Sequence, residues 1–153
     1  CVSGMPGTAI KNFSCVIYNI SLMNCTWSVG RDAPGDTQYF LYWENSREEE
    51  ENQCELYVKD KNGRHIGCQF QNVTITDNKI TYFIVNGSSK VSPIRFYDEY
   101  ISLYKIGKFM PPLNITANCD RYQTGCLIQW QKPETSRALD DDCFQYEVII
   151  QYK

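Results

Sequence analysis

The sequence predicts an all-β protein: one β-sandwich over roughly the first hundred residues, then the first strands of a second. Three observations carry this. Short runs of alternating apolar and polar residues are separated by Gly, Pro, Asn and Asp. Several of eight cysteines flank hairpin-like turns. In the run Cys15 to Trp27, two cysteines stand ten residues apart, with a tryptophan two beyond the second.

Residues 1–11 hold Cys1, Gly4, Pro6 and Gly7 and read as a lead-in. Phe13, Cys15 and Ile17 alternate with Asn12 and Ser14, as in a half-buried strand. Asn19 and Ser21 supply a turn. In the next strand, Leu22 to Ser28, positions i and i+2 share a face, so Met23, Cys25 and Trp27 point one way and Asn24 and Thr26 the other. Gly30 to Asp36 is a loop. Gln38 to Asn45, aromatic and apolar on both faces, is a candidate central strand. Arg47 and Glu48 to Glu51 read as a solvated loop tip rather than an acidic docking patch.

Cys54, Leu56 and Val58 alternate with Glu55, Tyr57 and Lys59. Asn62-Gly63 then marks a hairpin tip, where both residues tolerate positive φ. Arg64 to Phe70 returns with Ile66, Cys68 and Phe70 on one face. Gln71 to Lys79 is a polar loop, Ile80 to Asn86 is strongly β, and Pro93 to Tyr104 closes the count at about seven strands. Pro111-Pro112 cannot donate to a ladder and favours an extended join. Beyond it, Leu113 to Cys119, Cys126 to Gln131 and Phe144 to Tyr152 alternate as three further strands, with Lys132 to Asp142 a polar loop. Three strands cannot close a two-sheet core, so a cut inside the second sandwich is expected. Trp27, Trp43 and Trp130 all sit in alternating segments and are expected in the core.

Composition narrows the function. A net charge of −3 and a pI near 5.2 give no case for nucleic acid or an anionic membrane. No apolar run approaches the roughly 20 residues of a membrane span. There is no basic, apolar leader, so a mature fragment is expected. Eight cysteines and six N-x-Ser/Thr sequons, at Asn12, Asn19, Asn24, Asn72, Asn86 and Asn114, fit a secreted or cell-surface glycoprotein. The single histidine, His65, lacks the partners of a zinc site and reads as a strand-surface residue. Neither a nucleophile elbow, a phosphate loop nor a base–nucleophile set is present, so the chain is not expected to be an enzyme or to need a cofactor or metal.

The stapled-hairpin pattern with Cys25-Thr-Trp27 resembles the ligand-binding half of class I cytokine receptors. Ala33-Pro34, Asp36-Thr-Gln-Tyr39-Phe-Leu-Tyr42, Gly67-Cys68, Val85-Asn86-Gly87-Ser88-Ser89, Pro111-Pro112-Leu-Asn114, Trp130 and Cys143-Phe-Gln-Tyr146 extend the likeness over nearly the whole chain. Within that family it is similar to the α subunits of the granulocyte–macrophage colony-stimulating factor, interleukin-5, interleukin-3 and interleukin-13 receptors, most of all the first. The Trp-Ser-x-Trp-Ser box of the second elbow domain is absent.

The resemblance implies a fibronectin type III-like, immunoglobulin-like sandwich over 1–109 (the first elbow domain) and an incomplete second over 110–153. Together with hairpin proximity it implies the disulfides Cys15–Cys25, Cys54–Cys68 and Cys119–Cys126, leaving Cys1 and Cys143 without assigned partners. It implies capture of a four-helix-bundle cytokine, presented to a shared β-type signalling chain on the extracellular side of the plasma membrane. By position, the elbow residues are Tyr18 and Asn19; Thr76, Asp77, Asn78 and Lys79; Tyr104, Lys105 and Lys108; and Arg137 and Asp140. Two alternatives stay open: a soluble or decoy cytokine-binding protein, and an adhesion-type fibronectin module, against which the paired-cysteine pattern counts.

Overall fold

The computed structural model describes residues 3–45, 51–75, 80–120, 125–135 and 139–151. The first hairpin is β1 (Lys11–Tyr18) and β2 (Leu22–Ser28). Then come β3 (Gln38–Asn45), a two-residue β4 (Asn52–Gln53), β5 (Leu56–Lys59), β6 (His65–Phe70), β7 (Ile80–Ser88) and β8 (Tyr97–Ser102). They form two four-stranded sheets, ordered β1-β2-β6-β5 and β4-β3-β7-β8. Every pairing is antiparallel. The eighth strand, β4, is too short to show alternation in sequence. The final strand is shorter than Pro93–Tyr104, because Leu103–Lys105 winds into a 3-10 turn.

The inward rows of the two sheets make one core. Ile17, Met23, Cys25 and Trp27 come from the first sheet, and Tyr39, Leu41, Phe83 and Val85 from the second. Phe13 bridges them, its ring centroid 5.9 Å from Phe83, 5.6 Å from Tyr97 and 6.3 Å from Trp27. Burying a side chain of this size contributes roughly 1.5–3 kcal/mol relative to exposing it. The Cys54–Cys68 disulfide ties the segment after β4 to β6, while Cys15–Cys25 joins neighbouring strands of one sheet.

Where the sheets meet, β4 pairs only with Tyr42 and Trp43, so the backbone of β3 before them needs other partners. Side chains supply most of these. Leu41 N–H donates to the Tyr57 hydroxyl at 2.9 Å, and Cys54 N–H donates to the Leu41 carbonyl at 2.9 Å. His65 Nδ1 lies 2.7 Å from the Tyr39 carbonyl, which makes Nδ1 the protonated nitrogen. His65 N–H donates to Gln38 Oε1 at 2.7 Å, and Trp27 Nε1 donates to the His65 carbonyl at 3.0 Å.

Several expectations change here. His65 is buried, not on the surface, and stacks on Tyr57 with centroids 3.8 Å apart. Leu56 and Val58 are exposed, while Tyr57 faces inward opposite Cys68. Tyr57 faces inward because the chain leaves β4 in one sheet and enters β5 in the other between Gln53 and Leu56, so the alternation set by Cys54 does not carry across. His65 turns inward because a register shift pairs Lys59 with His65 and leaves Ile66 as an extra residue on β6. At the hairpin tip only Gly63 takes a positive φ, +80°. Asp60 Oδ1 accepts the Asn62 and Arg64 N–H groups instead, so Asn62 needs no left-handed conformation.

Beyond the sandwich, β9 (Leu113–Cys119) and β10 (Cys126–Gln131) pair as a separate ribbon closed by Cys119–Cys126. Most of its side chains are exposed, including Trp130, whose ring is tilted by 56° against Tyr146 with centroids 5.2 Å apart. Trp130 is therefore not core. The alternating run 144–151 is not a strand among the described residues: alternation sets faces, whereas a strand also needs a hydrogen-bonded neighbour. Cys143 is exposed and unbridged among the described residues, and Cys1 lies outside them.

Two carboxylates tie loops of the sandwich. Asp36 accepts from the Ser89 hydroxyl at 2.6 Å and Lys90 N–H at 2.8 Å; those bonds, the hydroxyl's first, hold its carboxyl below the usual range. Asp60 is lowered by Arg64 N–H and then Asn62 N–H. A depressed folded pKa means the stabilisation is present above the unfolded pKa of about 3.9 and is lost as pH falls through the folded value. Acid unfolding curves should therefore steepen below about pH 4. Asp36→Asn with Asp60→Asn should flatten that segment; unchanged curves would contradict these contacts.

Candidate functional site

The β1–β2 connection is a three-residue turn, Asn19 to Ser21, closed by the Tyr18–Leu22 pair. Asn19 and Ile20 both have positive φ, +48° and +73°. Asparagine tolerates this; a β-branched isoleucine rarely does, at a cost of roughly 1–2 kcal/mol. The turn directs Ile20 toward the segment that leaves β8. That segment runs along β1: Ile17 N–H donates to the Ile106 carbonyl at 2.9 Å, and Lys108 N–H to the Ile17 carbonyl at 2.8 Å. These bonds place Ile17 and Gly107 side by side in parallel and pin the linker to the sandwich.

A small cleft of about 30 Å³ lies between this linker, the turn and the loop after β10. Ile17, Ile20 and Ile75 line its floor from the sandwich side, Tyr104 and Phe109 from the linker, and Leu139 from the far loop. Gly107, Lys108, Glu134 and Thr135 complete the lining. Tyr104 and Phe109 are 43% and 58% exposed. Lys132, in the far loop, pairs with Asp141 at 3.0 Å and sits 5.1 Å from the Phe144 ring centroid. Phe144 in turn lies 5.5 Å from Phe109, which links the far loop to the linker.

Of the expected elbow residues, the structure brings Tyr104 and Lys108 into the cleft itself. Tyr18 and Asn19 stand at its turn, half-buried and exposed respectively, next to Ile20. Lys105 is exposed on the 3-10 turn, and Asp140 is exposed beside Leu139. Thr76, Asp77, Asn78, Lys79 and Arg137 lie outside the described residues, as do Arg47 and Glu48 to Glu50. The missed members are Ile17, Ile20, Ile75, Phe109 and Leu139. The one available signal was Ile20, an apolar β-branched residue inside a turn of polar neighbours. Among the described residues, no group of three or more His, Cys, Asp or Glu side chains is placed to hold a metal ion.

Residues 12–106, spanning the eight-stranded sandwich, match the family model described as interleukin-6 receptor alpha chain, binding. The chain belongs to that receptor family. Human interleukin-5 receptor subunit alpha is 42% identical over 161 residues, covering 96% of this chain and 37% of that protein. Human interleukin-13 receptor subunit alpha-2 is 32% identical over 147 residues, covering 96% and 38%. Mouse granulocyte–macrophage colony-stimulating factor receptor subunit alpha is 28% identical over 146 residues, covering 95% and 36%. The receptor chain thus falls in the expected α-subunit group. The preference within it for the granulocyte–macrophage colony-stimulating factor subunit is not favoured by these identities. The chain spans a little over a third of the length of these relatives.

Ile20→Gly separates strain from recognition at this site. Glycine adopts positive φ freely, so the turn should lose strain while the cleft loses an apolar contact. Stability should stay within about 1 kcal/mol of the parent. A loss well beyond that on chemical denaturation would show that Ile20 is a packing residue first.

Proposed function

We propose that this chain is the ligand-binding part of an extracellular cytokine receptor α subunit. It captures a four-helix-bundle cytokine and presents it to a shared signalling chain. The observation that carries the reading is the convergence of the β1–β2 turn, the pinned linker and the loop after β10 on one cleft with exposed aromatic rings. A helical ligand offers a convex ridge of side chains, and a rigid rim with Tyr and Phe anchors suits it. The turn and the linker are held by backbone bonds to the sandwich, so little of their ordering entropy is lost on binding.

In this reading, residues 1–109 are the first elbow domain and 110–153 belong to a second fibronectin type III-like sandwich. The exposed apolar residues of the ribbon and after it (Ile115, Leu127, Val148 and Ile150) are the surface that further strands of such a sandwich cover. Tyr18, Asn19, Tyr104, Lys105 and Asp140 contribute to the rim, with Asp77, Lys79 and Arg137 assigned to it by position. The domain faces the outside of the plasma membrane, where its disulfides persist.

The test is binding of helical cytokines to the immobilised chain, used as it stands and extended to a full second sandwich. The panel holds interleukin-5, interleukin-13, interleukin-3 and granulocyte–macrophage colony-stimulating factor. One selective binder, weakened at least tenfold by Tyr104→Ala, is expected. Silence across the panel from folded, oxidised protein would overturn the reading.

A further inference from the structure

At the same end of the sandwich as the cleft, but on a different flank, two open grooves of about 450 and 490 Å³ share one wall. Trp43, Phe70, Gln71 and Asn72 line both. Their size falls within the roughly 300–1,000 Å³ of small-ligand sites. Trp43 is only partly buried, and its ring meets Phe70 edge-to-face at 6.0 Å. Asn72 stands on the shared rim, exposed, with φ +57°. It opens the sequon Asn72-Val73-Thr74 two residues after Phe70. Val73 N–H donates to the Ser21 carbonyl at 2.8 Å, which fixes the turn, while Thr74 is exposed.

The other sequons differ. Asn24 lies on β2, flanked by β1 and β6, with its Oδ1 buried and unpartnered. Its side chain is only partly exposed, unlike that of Asn72. Asn12, Asn19, Asn86 and Asn114 are exposed, but the two grooves are lined at Asn72 alone among the six.

We propose that Asn72 carries an N-linked glycan whose first N-acetylglucosamine packs into the groove beside Trp43 and Phe70. The attachment forms a bond from Asn72 Nδ2 to C1 of a lipid-pyrophosphate-linked oligosaccharide. The C1–oxygen bond to the pyrophosphate breaks, and the amide proton leaves with the departing lipid pyrophosphate. The C–H face of the sugar then covers aromatic surface, since the electron-rich ring face attracts polarised C–H groups and both surfaces leave water. The sugar becomes part of the sandwich end rather than a free surface chain. The inference rests on the secretory reading above but does not depend on which cytokine binds.

The experiment uses the full chain from cells that attach only high-mannose glycans. Glycopeptide mass spectrometry is expected to find Asn72 occupied and Asn24 empty. No glycan at any sequon would overturn the secretory reading itself; glycans elsewhere with Asn72 empty would overturn this inference alone. Samples are then trimmed to one sugar or stripped completely. Loss of the last sugar should lower Tm by about 4 °C, the scale of one aromatic contact in a domain of this size. The difference should vanish in Asn72→Gln, and Asn72→Asp controls for the charge that stripping leaves. In the one-sugar sample, the acetamido or ring protons of that sugar should be shifted upfield by Trp43, and Trp43→Leu should return them. Unshifted protons together with an unchanged Tm would overturn the packing.

Discussion

Replacing Cys54 and Cys68 together by alanine is expected to lower stability by about 3 kcal/mol, the value for closing a loop of about 15 residues. For a sandwich of about 100 residues this corresponds to a fall in Tm of roughly 12–24 °C. The bridge joins the segment following β4 to β6, and so holds one sheet to the other. Cys54 N–H also donates to the Leu41 carbonyl, at the point where β3 runs short of strand partners. Cutting this bridge frees two layers; cutting Cys15–Cys25 frees only neighbours that are already paired in register. Calorimetry of the two double variants should therefore rank Cys54/Cys68 as the larger loss. A fall of less than about 3 °C would show that packing alone holds the sheets together.

Tyr39→Phe is expected to cost about 1–3 kcal/mol although it removes one atom. The ring is fully buried, and its hydroxyl serves two backbone groups. It donates to the Thr8 carbonyl at 2.7 Å and accepts the Gly30 N–H at 3.2 Å. Phenylalanine keeps the packing and leaves both groups without that partner in the interior, which is the costly case. Gly30 cannot relax by gaining bulk, since a Cβ there would lie 2.5 Å from the Ala9 and Thr8 carbonyl oxygens. Tyr39→Ala should cost more, about 3–5 kcal/mol, by adding a cavity. A Tyr39→Phe loss below about 0.5 kcal/mol in urea unfolding would mean that water or a rearranged turn replaces the hydroxyl.

These residues also show where sequence reasoning reaches. Met23, Cys25 and Trp27 were legible because β2 itself keeps the period of two: the irregularity in its pairing with β1 puts the extra residue on β1, between Lys11 and Ser14. Tyr57 and His65 were not. Tyr57 follows a crossing from one sheet to the other between Gln53 and Leu56, and His65 follows an extra residue at Ile66, and no local pattern announces either. The same limit explains Trp130 and the run from Phe144: alternation states which side chains share a face, but burial and pairing need a facing layer. At the site, Tyr104 and Lys108 were reached through family resemblance. Ile20, Ile75 and Phe109 were not, because an apolar residue in a loop carries no mark of which wall it joins. The backbone bonds from Ile17 to Ile106, from Lys108 to Ile17 and from Val73 to Ser21 bring those walls together.

We propose that the turn at Asn19–Ile20, the linker at Tyr104–Phe109 and Glu134, Thr135 and Leu139 form one cytokine-contacting rim. Hydrogen exchange of the oxidised chain, with and without its selected cytokine, tests this most directly. Slowed exchange in those three segments together, with the outer face of β8 unchanged, is the predicted footprint. Protection confined to β8 or to the β9–β10 ribbon, with the turn and linker exchanging as in the free chain, would contradict it.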